Sequence, residues 1–166
     1  CGNGSRIERM HRPRIELLVE AGVDVLALET IPCLAEVEAL LAEIDGSRQP
    51  CWLSITCSGD RTRAGEPAAE AFSLAREIEE IIAVGINCID PDDAYALICM
   101  ADQAAGKPVV VYPNSGERWN SVARAWNGAA AFHPEEVREW ISGGARLVGG
   151  CCRVGPAEIE AIRDFL

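Results

Sequence analysis

Apolar positions along this chain alternate between two rhythms: stripes at helical spacing and short continuous runs the length of a buried strand. Ile7, Met10, Ile15, Leu18 and Val19 follow helical spacing over 7–21, and Gly22 supplies a stop. A strand is expected at 24–29. Pro32 then opens a helix whose stripe of Leu34, Val37, Leu40, Leu41 and Ile44 ends at Gly46. The same alternation continues with a strand at 51–56, a polar loop at 58–65, a helix at 67–80, a strand at 81–88 and a helix from Pro91 to about Ala105. Strands at 109–112 and 146–149 follow, with helices at 133–142 and 156–166, while 117–132, which holds Trp119 and Trp126 among small and polar residues, reads as mostly irregular.

Five βα units in regular alternation predict parallel strands joined by right-handed crossovers. They fit either an open doubly wound sheet or part of an eight-stranded TIM (β/α)8 barrel. Each strand ends in polar or reactive residues: Glu29-Thr30, Thr56-Cys57, Asn87-Cys88, Asn114-Ser115 and Cys151-Cys152. An open sheet gathers its site at one switch point, whereas a barrel uses the carboxyl end of every strand, so the pattern favours the barrel. No G-x-G-x-x-G or Walker sequence follows any strand.

Composition narrows the partners. A net charge of −11 over 166 residues, without a basic run, argues against nucleic acid and anionic membrane and leaves a small molecule. The longest apolar stretches fall far short of the roughly twenty residues a membrane span requires. Eight cysteines placed within apolar strands and helices suit a reducing, cytoplasmic compartment better than a disulfide scaffold. The chain starts at Cys1, and its first coherent element is already a helix, which leads us to expect a single barrel domain over 1–166 that is truncated on its N-terminal side.

The cysteines also carry the candidate chemistry. Cys88 and the pair Cys151-Cys152 each close an apolar run, so a parallel sheet brings all three to one edge. Neighbouring strand residues point to opposite faces, so Cys151 and Cys152 reach one ion only if the chain turns there, and Gly149 and Gly150 permit a turn. Three thiolates on zinc leave a fourth position open, as in a catalytic site. The 62 residues between Cys88 and Cys151 match no zinc-finger spacing, and a vicinal disulfide or inert buried thiols stand as alternatives.

Five segments in order make the chain resemble the homocysteine S-methyltransferases, a zinc-dependent (β/α)8 family. They are His11-Arg12-Pro13-Arg14, Leu28-Glu29-Thr30-Ile31-Pro32, Gly85-Ile86-Asn87-Cys88, Tyr112-Pro113-Asn114-Ser115-Gly116-Glu117 and Gly149-Gly150-Cys151-Cys152. The resemblance starts near His11 and reads as the C-terminal portion of the family only, with the visible strands as the fourth to the eighth and the glycine-rich first strand absent. It implies zinc on Cys88, Cys151 and Cys152, with Glu29 on the amino group of L-homocysteine. Asn87 and Asn114 are candidates for bonding substrate, for orienting the loop that bears Cys88, or for capping a turn. The implied reaction is methyl transfer from a sulfonium donor, S-methylmethionine or S-adenosylmethionine, to homocysteine, giving methionine. Two competing expectations are a non-catalytic half-barrel that binds zinc or self-associates through its open edges, and a thiol redox protein using Cys151-Cys152. His11 and His133 are weak ligand candidates, and Cys33, Cys51, Cys57 and Cys99 read as core or near-site thiols. The four tryptophans read as packing residues, too dispersed for a stacking platform.

Overall fold

A computed structural model describes residues 4–166. Five strands, Leu26–Ile31, Cys51–Ile55, Ile81–Asn87, Val109–Tyr112 and Ala145–Val148, form one parallel sheet and are called here the first to the fifth. Each pairs with the next in chain order. This order decides between the two architectures: a doubly wound sheet reverses direction at its switch point, and here there is no reversal. The winding is that of a (β/α) barrel left open, since among the described residues the first and fifth strands each have one neighbour.

Helices α1 (Gly4–Glu20), α2 (Leu34–Ile44), α3 (Ala68–Leu74), α4 (Ala94–Ala105) and α5 (Val137–Ser142) pack as successive neighbours, and α6 (Pro156–Arg163) closes the chain. Register explains what they cover. Leu28, Leu53, Val84 and Val109 stand side by side across four strands and are all buried, facing Val37, Leu40, Phe72, Leu97 and Ile98 of the helices. Fully burying a side chain of this kind contributes about 1.5–3 kcal/mol, so the row is a substantial part of what holds helices to sheet. The opposite row, Ser54, Gly85, Val110 and Leu147, ends in a leucine that is 45% exposed. Gly85 sits where a Cβ would run into the Val110 carbonyl, so strands three and four approach closely only because the residue is glycine.

Three expectations about the elements need correction. Helix α3 ends at Leu74 and not near Glu80. The amides of Ala75, Arg76 and Ile78 bond three residues back, and Arg76 donates to the carbonyls of Gln103 and Ala104 at the end of α4, so tight turns replace the last helical turns. The segment expected to be irregular contains an antiparallel hairpin, Arg118–Asn120 with Ala125–Asn127. Trp119 stands opposite Trp126 with ring centroids 5.5 Å apart, and Asn120 Oδ1 accepts from the amides of Val122 and Ala123 to build the turn. Cross-strand aromatic pairing is the source of order that a scan for strand-length apolar runs overlooks. A second short hairpin, Cys57–Ser58 with Arg61–Thr62, lies in the polar loop after the second strand.

Candidate metal centre

Because all five strands run parallel, their carboxyl ends share one edge, and the cysteines meet there. Cys88 follows the third strand in a left-handed conformation, φ 53°, that non-glycine residues seldom adopt. Its backbone is held on both sides: its amide donates to the Tyr112 carbonyl at 3.3 Å, and its carbonyl accepts from Thr56 Oγ1 and Arg63 Nη2, both at 3.3 Å. Such strain costs about 1–3 kcal/mol and persists only where the surroundings over-determine it.

Cys151 and Cys152 follow the fifth strand and are gripped by the loop after the fourth. Cys151 N donates to the Pro113 carbonyl at 2.7 Å, Cys152 N to Asn114 Oδ1 at 3.1 Å, and Ser115 N to the Cys152 carbonyl at 3.0 Å. Neither Gly149 nor Gly150 takes a positive φ; the left-handed residue is Arg153, φ 66°. Gly150 is required for space, since a Cβ there would overlap Val154. Arg153 Nε in turn donates to Glu117 Oε2 at 2.6 Å, and this ion pair holds the Glu117 carboxyl below the usual carboxylate range.

The three sulfurs form a cluster capable of holding a metal ion. Cys88 Sγ lies 2.7 Å from Cys151 Sγ and 3.9 Å from Cys152 Sγ, and the last two sulfurs are 4.0 Å apart. Metal–sulfur bonds of about 2.3 Å in a tetrahedron set sulfurs about 3.8 Å apart. Two edges fit that figure, and the third must open by about 1 Å to admit an ion. All three cysteines are free, and 4.0 Å between Cys151 and Cys152 is far from the roughly 2.05 Å of a vicinal disulfide. Burial, reinforced by the neighbouring thiols, pushes Cys88 well above the ordinary thiol range; burial and Cys151 raise Cys152 as well. Crowded thiols of this kind release their protons to a cation far more readily than to water.

The other sequence candidates fall into a second cluster that Tyr112 ties to the first. Tyr112 receives a hydrogen bond from Trp52 Nε1 at 3.2 Å and donates to Glu29 Oε2 at 3.1 Å. Burial, with the Glu29 charge adding to it, pushes the phenol up to about 12, so it remains a donor. Asn87, 1% exposed, accepts from the Thr30 amide on its Oδ1 at 2.9 Å and donates from its Nδ2 to Thr30 Oγ1 at 2.7 Å. This pair holds β-branched Thr30 at φ 61° and thereby sets the backbone next to Glu29. Asn114 sits on Cys152, as described. Sequence reasoning missed Tyr112, Thr30, Thr56 and Arg63 as site-forming residues. All but Arg63 lie in or beside the strand ends, which is the signal that could have found them.

The remaining candidates lie elsewhere. His11 bonds Glu36 at 2.9 Å and joins α1 to α2, and His133 is exposed, 4.0 Å from Glu135. Cys51 and Cys57 are buried, and burial raises them to about 11 and about 12. Cys33, expected as a thiol, is disulfide-bonded.

The family model for homocysteine S-methyltransferase matches residues 3–166. The chain belongs to the homocysteine S-methyltransferase family. Membership therefore runs over nearly the full chain, which corrects the narrower resemblance that starts near His11 and reads as a C-terminal portion only. The residues before His11 carry no distinctive motif, so the part of α1 that precedes it gives no family signal to the eye. Among relatives, homocysteine S-methyltransferase YbgG of Bacillus subtilis is 42% identical over 156 residues, covering 92% of this chain and 50% of that protein. A selenocysteine methyltransferase of Astragalus bisulcatus is 34% identical, covering 96% and 49%. Among solved structures, the metallated form of the homocysteine methyltransferase MmuM from Escherichia coli superposes with a TM-score of 0.84 at 32% identity, over 99% of this chain and 52% of that one. Its apo form gives 0.85 at 31% identity, over 100% and 58%. The chain thus spans about half the length of these family members. No described helix is long and apolar enough to cross a membrane.

Proposed function

We propose that this chain serves a zinc-dependent transfer of a methyl group from S-methylmethionine or S-adenosylmethionine to L-homocysteine, giving methionine. The observation that carries the reading is the convergence of Cys88, Cys151 and Cys152 at one sheet edge with two of three sulfur separations already at tetrahedral spacing. On this reading the five βα units take the places of strands four to eight in an eight-stranded barrel, and the three cysteines are the zinc ligands. Bound there, zinc would supply a Lewis acid that keeps a fourth, substrate sulfur deprotonated at neutral pH.

The protein's own residues then have defined tasks. Pro113, Asn114 and Ser115 fix the Cys151-Cys152 turn, while Thr56 and Arg63 fix Cys88, so the ligand set is organised before any substrate arrives. Glu29 offers a carboxylate to the homocysteine ammonium, and Tyr112 and the Asn87–Thr30 pair orient it. Asn87 has both ends of its amide engaged, so its contribution to substrate binding is through that orientation; Asn114 acts likewise through Cys152. In the chemical step the homocysteine sulfur attacks the methyl carbon, the donor carbon–sulfur bond breaks, and its electron pair neutralises the donor sulfonium. No proton moves, so alignment accounts for much of the rate. The three cluster thiols are free, which suits a reducing, cytoplasmic setting even though Cys33 is disulfide-bonded.

One observation favours a second reading, a half-barrel that associates with a copy of itself. The outer strands each lack a neighbour on one side among the described residues, and Leu147 is 45% exposed on the face opposite the helices. Elemental analysis of protein purified under reducing conditions separates the two. The methyltransferase reading expects about one zinc per chain, a large loss in both Cys88→Ala and Cys151→Ala, and methionine formation with one of the two donors. A folded, self-associating parent without zinc overturns it.

A further inference from the structure

A cavity of about 700 Å³ is lined by residues that bond the backbone of the cysteine cluster, Arg63 and Asn114 among them, and no step above uses it. It shares a wall with the metal centre: Asn114, which bonds Cys152 N, and Glu117, which pairs with Arg153, both line it. The Trp119–Trp126 pair lines it as well. Trp119 keeps 52% of its surface exposed, a large apolar area for a small hairpin to leave uncovered. Four carboxylates, Asp90, Asp92, Asp93 and Glu117, line the cavity against two guanidinium groups, Arg63 and Arg118. Several of these groups have partners, with Asp93 accepting from Gly59 N, Glu117 pairing with Arg153 and Arg63 donating to the Cys88 carbonyl, yet of these only the Glu117 pair cancels charge and carboxylates stay in excess. Asp92, exposed on the rim, is left to face a ligand.

Aromatic faces beside an excess of carboxylates select a cation, and a soft, weakly hydrated one gains most from the rings. We propose that this cavity seats the sulfonium group of the methyl donor, with Trp119 and Trp126 as its aromatic wall and Asp92 on its rim. The proposal rests on the methyl-transfer reading and extends it by giving the donor a seat built from this chain alone. The arrangement also discriminates substrate from product. When the donor methyl–sulfur bond breaks, its electron pair returns to sulfur, the cation becomes a neutral thioether, and the attraction of the rings and carboxylates vanishes. Arg118, held only loosely by Asp90 at 4.0 Å, is placed to meet the donor's own carboxylate.

Calorimetric titration of the 166-residue chain with S-methylmethionine, S-adenosylmethionine and methionine tests the seat. The expected result is binding of at least one sulfonium compound with methionine at least about tenfold weaker. Trp119→Ala and Trp126→Ala should each weaken the sulfonium about 5- to 30-fold. Zinc content should stay at the parent level in both. Trp119→Phe, which keeps a ring and the hairpin, should retain most of the affinity, and Asp92→Asn should lose part of it. The proposal is overturned if neither sulfonium binds, if methionine binds equally well, or if affinity is indifferent to both tryptophans. Sulfonium binding with this variant pattern in a chain that holds no zinc and transfers no methyl would support the seat while counting against the methyltransferase reading, so the two fail separately.

Discussion

The third and fifth strands each deliver cysteines to the same edge, but by different physical means. The third, Ile81–Asn87, has a neighbour on either side, and only Ile82 among its residues is substantially exposed. Its cysteine extends from this packed strand, and Tyr112, Thr56 and Arg63 hold its backbone by hydrogen bonds. The fifth, Ala145–Val148, has one neighbour, and its Arg146 and Leu147 are exposed. Its two cysteines are positioned mainly by hydrogen bonds from the Pro113-Asn114-Ser115 loop. A ligand set assembled this way has one anchored member and two that depend on a polar clamp, and disturbances to core and clamp should have separable effects.

The largest separation should come from truncating matched apolar residues. Ile86→Ala in the fully buried third strand is expected to cost about 2–5 kcal/mol in denaturant unfolding. Leu147→Ala on the fifth should stay within about 0.5 kcal/mol; an equal loss at both positions would mean that the fifth strand is as well covered as the third, by association of copies. Asn114→Ala attacks the clamp and leaves the Cys152 amide unpaired. A fall in zinc affinity of about 10- to 100-fold is expected, measured by chelator competition, with the unfolding midpoint moving much less than for Ile86→Ala. An unchanged affinity would show that the Cys151-Cys152 turn is rigid without its asparagine.

The smallest effect should be one of pH. Arg153 first, and Ser115 after it, hold Glu117 below its ordinary value, so the folded form favours the carboxylate. That contribution is complete above the unfolded value near 4.5 and disappears as the pH falls through the depressed folded value. Glu117→Gln should therefore lower the melting temperature slightly at pH 7, with the difference closing in acid; a difference that persists in strong acid would assign the effect to something other than this ion pair. Because the Arg153 side chain is half exposed, screening keeps the effect small.

Much of the fold was legible because it rests on local pattern. Runs such as Val109-Val110-Val111 and stripes such as Val37, Leu40, Leu41 and Ile44 have one good way to hide from water, and the structure buries them accordingly. Less local features were harder to read. The Trp119–Trp126 hairpin depends on a contact across a turn, and the early end of α3 depends on carbonyls of α4. The candidate metal ligands are recognisable as reactive residues after strands, but the hydrogen-bond partners at the site are not: Asn87 bonds both the amide and the hydroxyl of Thr30, 57 residues away.

By itself, the sequence determined the alternation of strands and helices, the parallel winding and the membership of Cys88, Cys151 and Cys152 in one edge, because hydrophobic periodicity and the direction of βα crossovers are written residue by residue. Only the tertiary structure decided that the strands run in unbroken order, that two cysteines hang on a polar clamp and one extends from a packed strand, and that two tryptophans line a cavity together with Asn114 of that clamp. Those outcomes depend on which distant backbone groups and rings meet, and periodicity along the chain carries no record of such meetings.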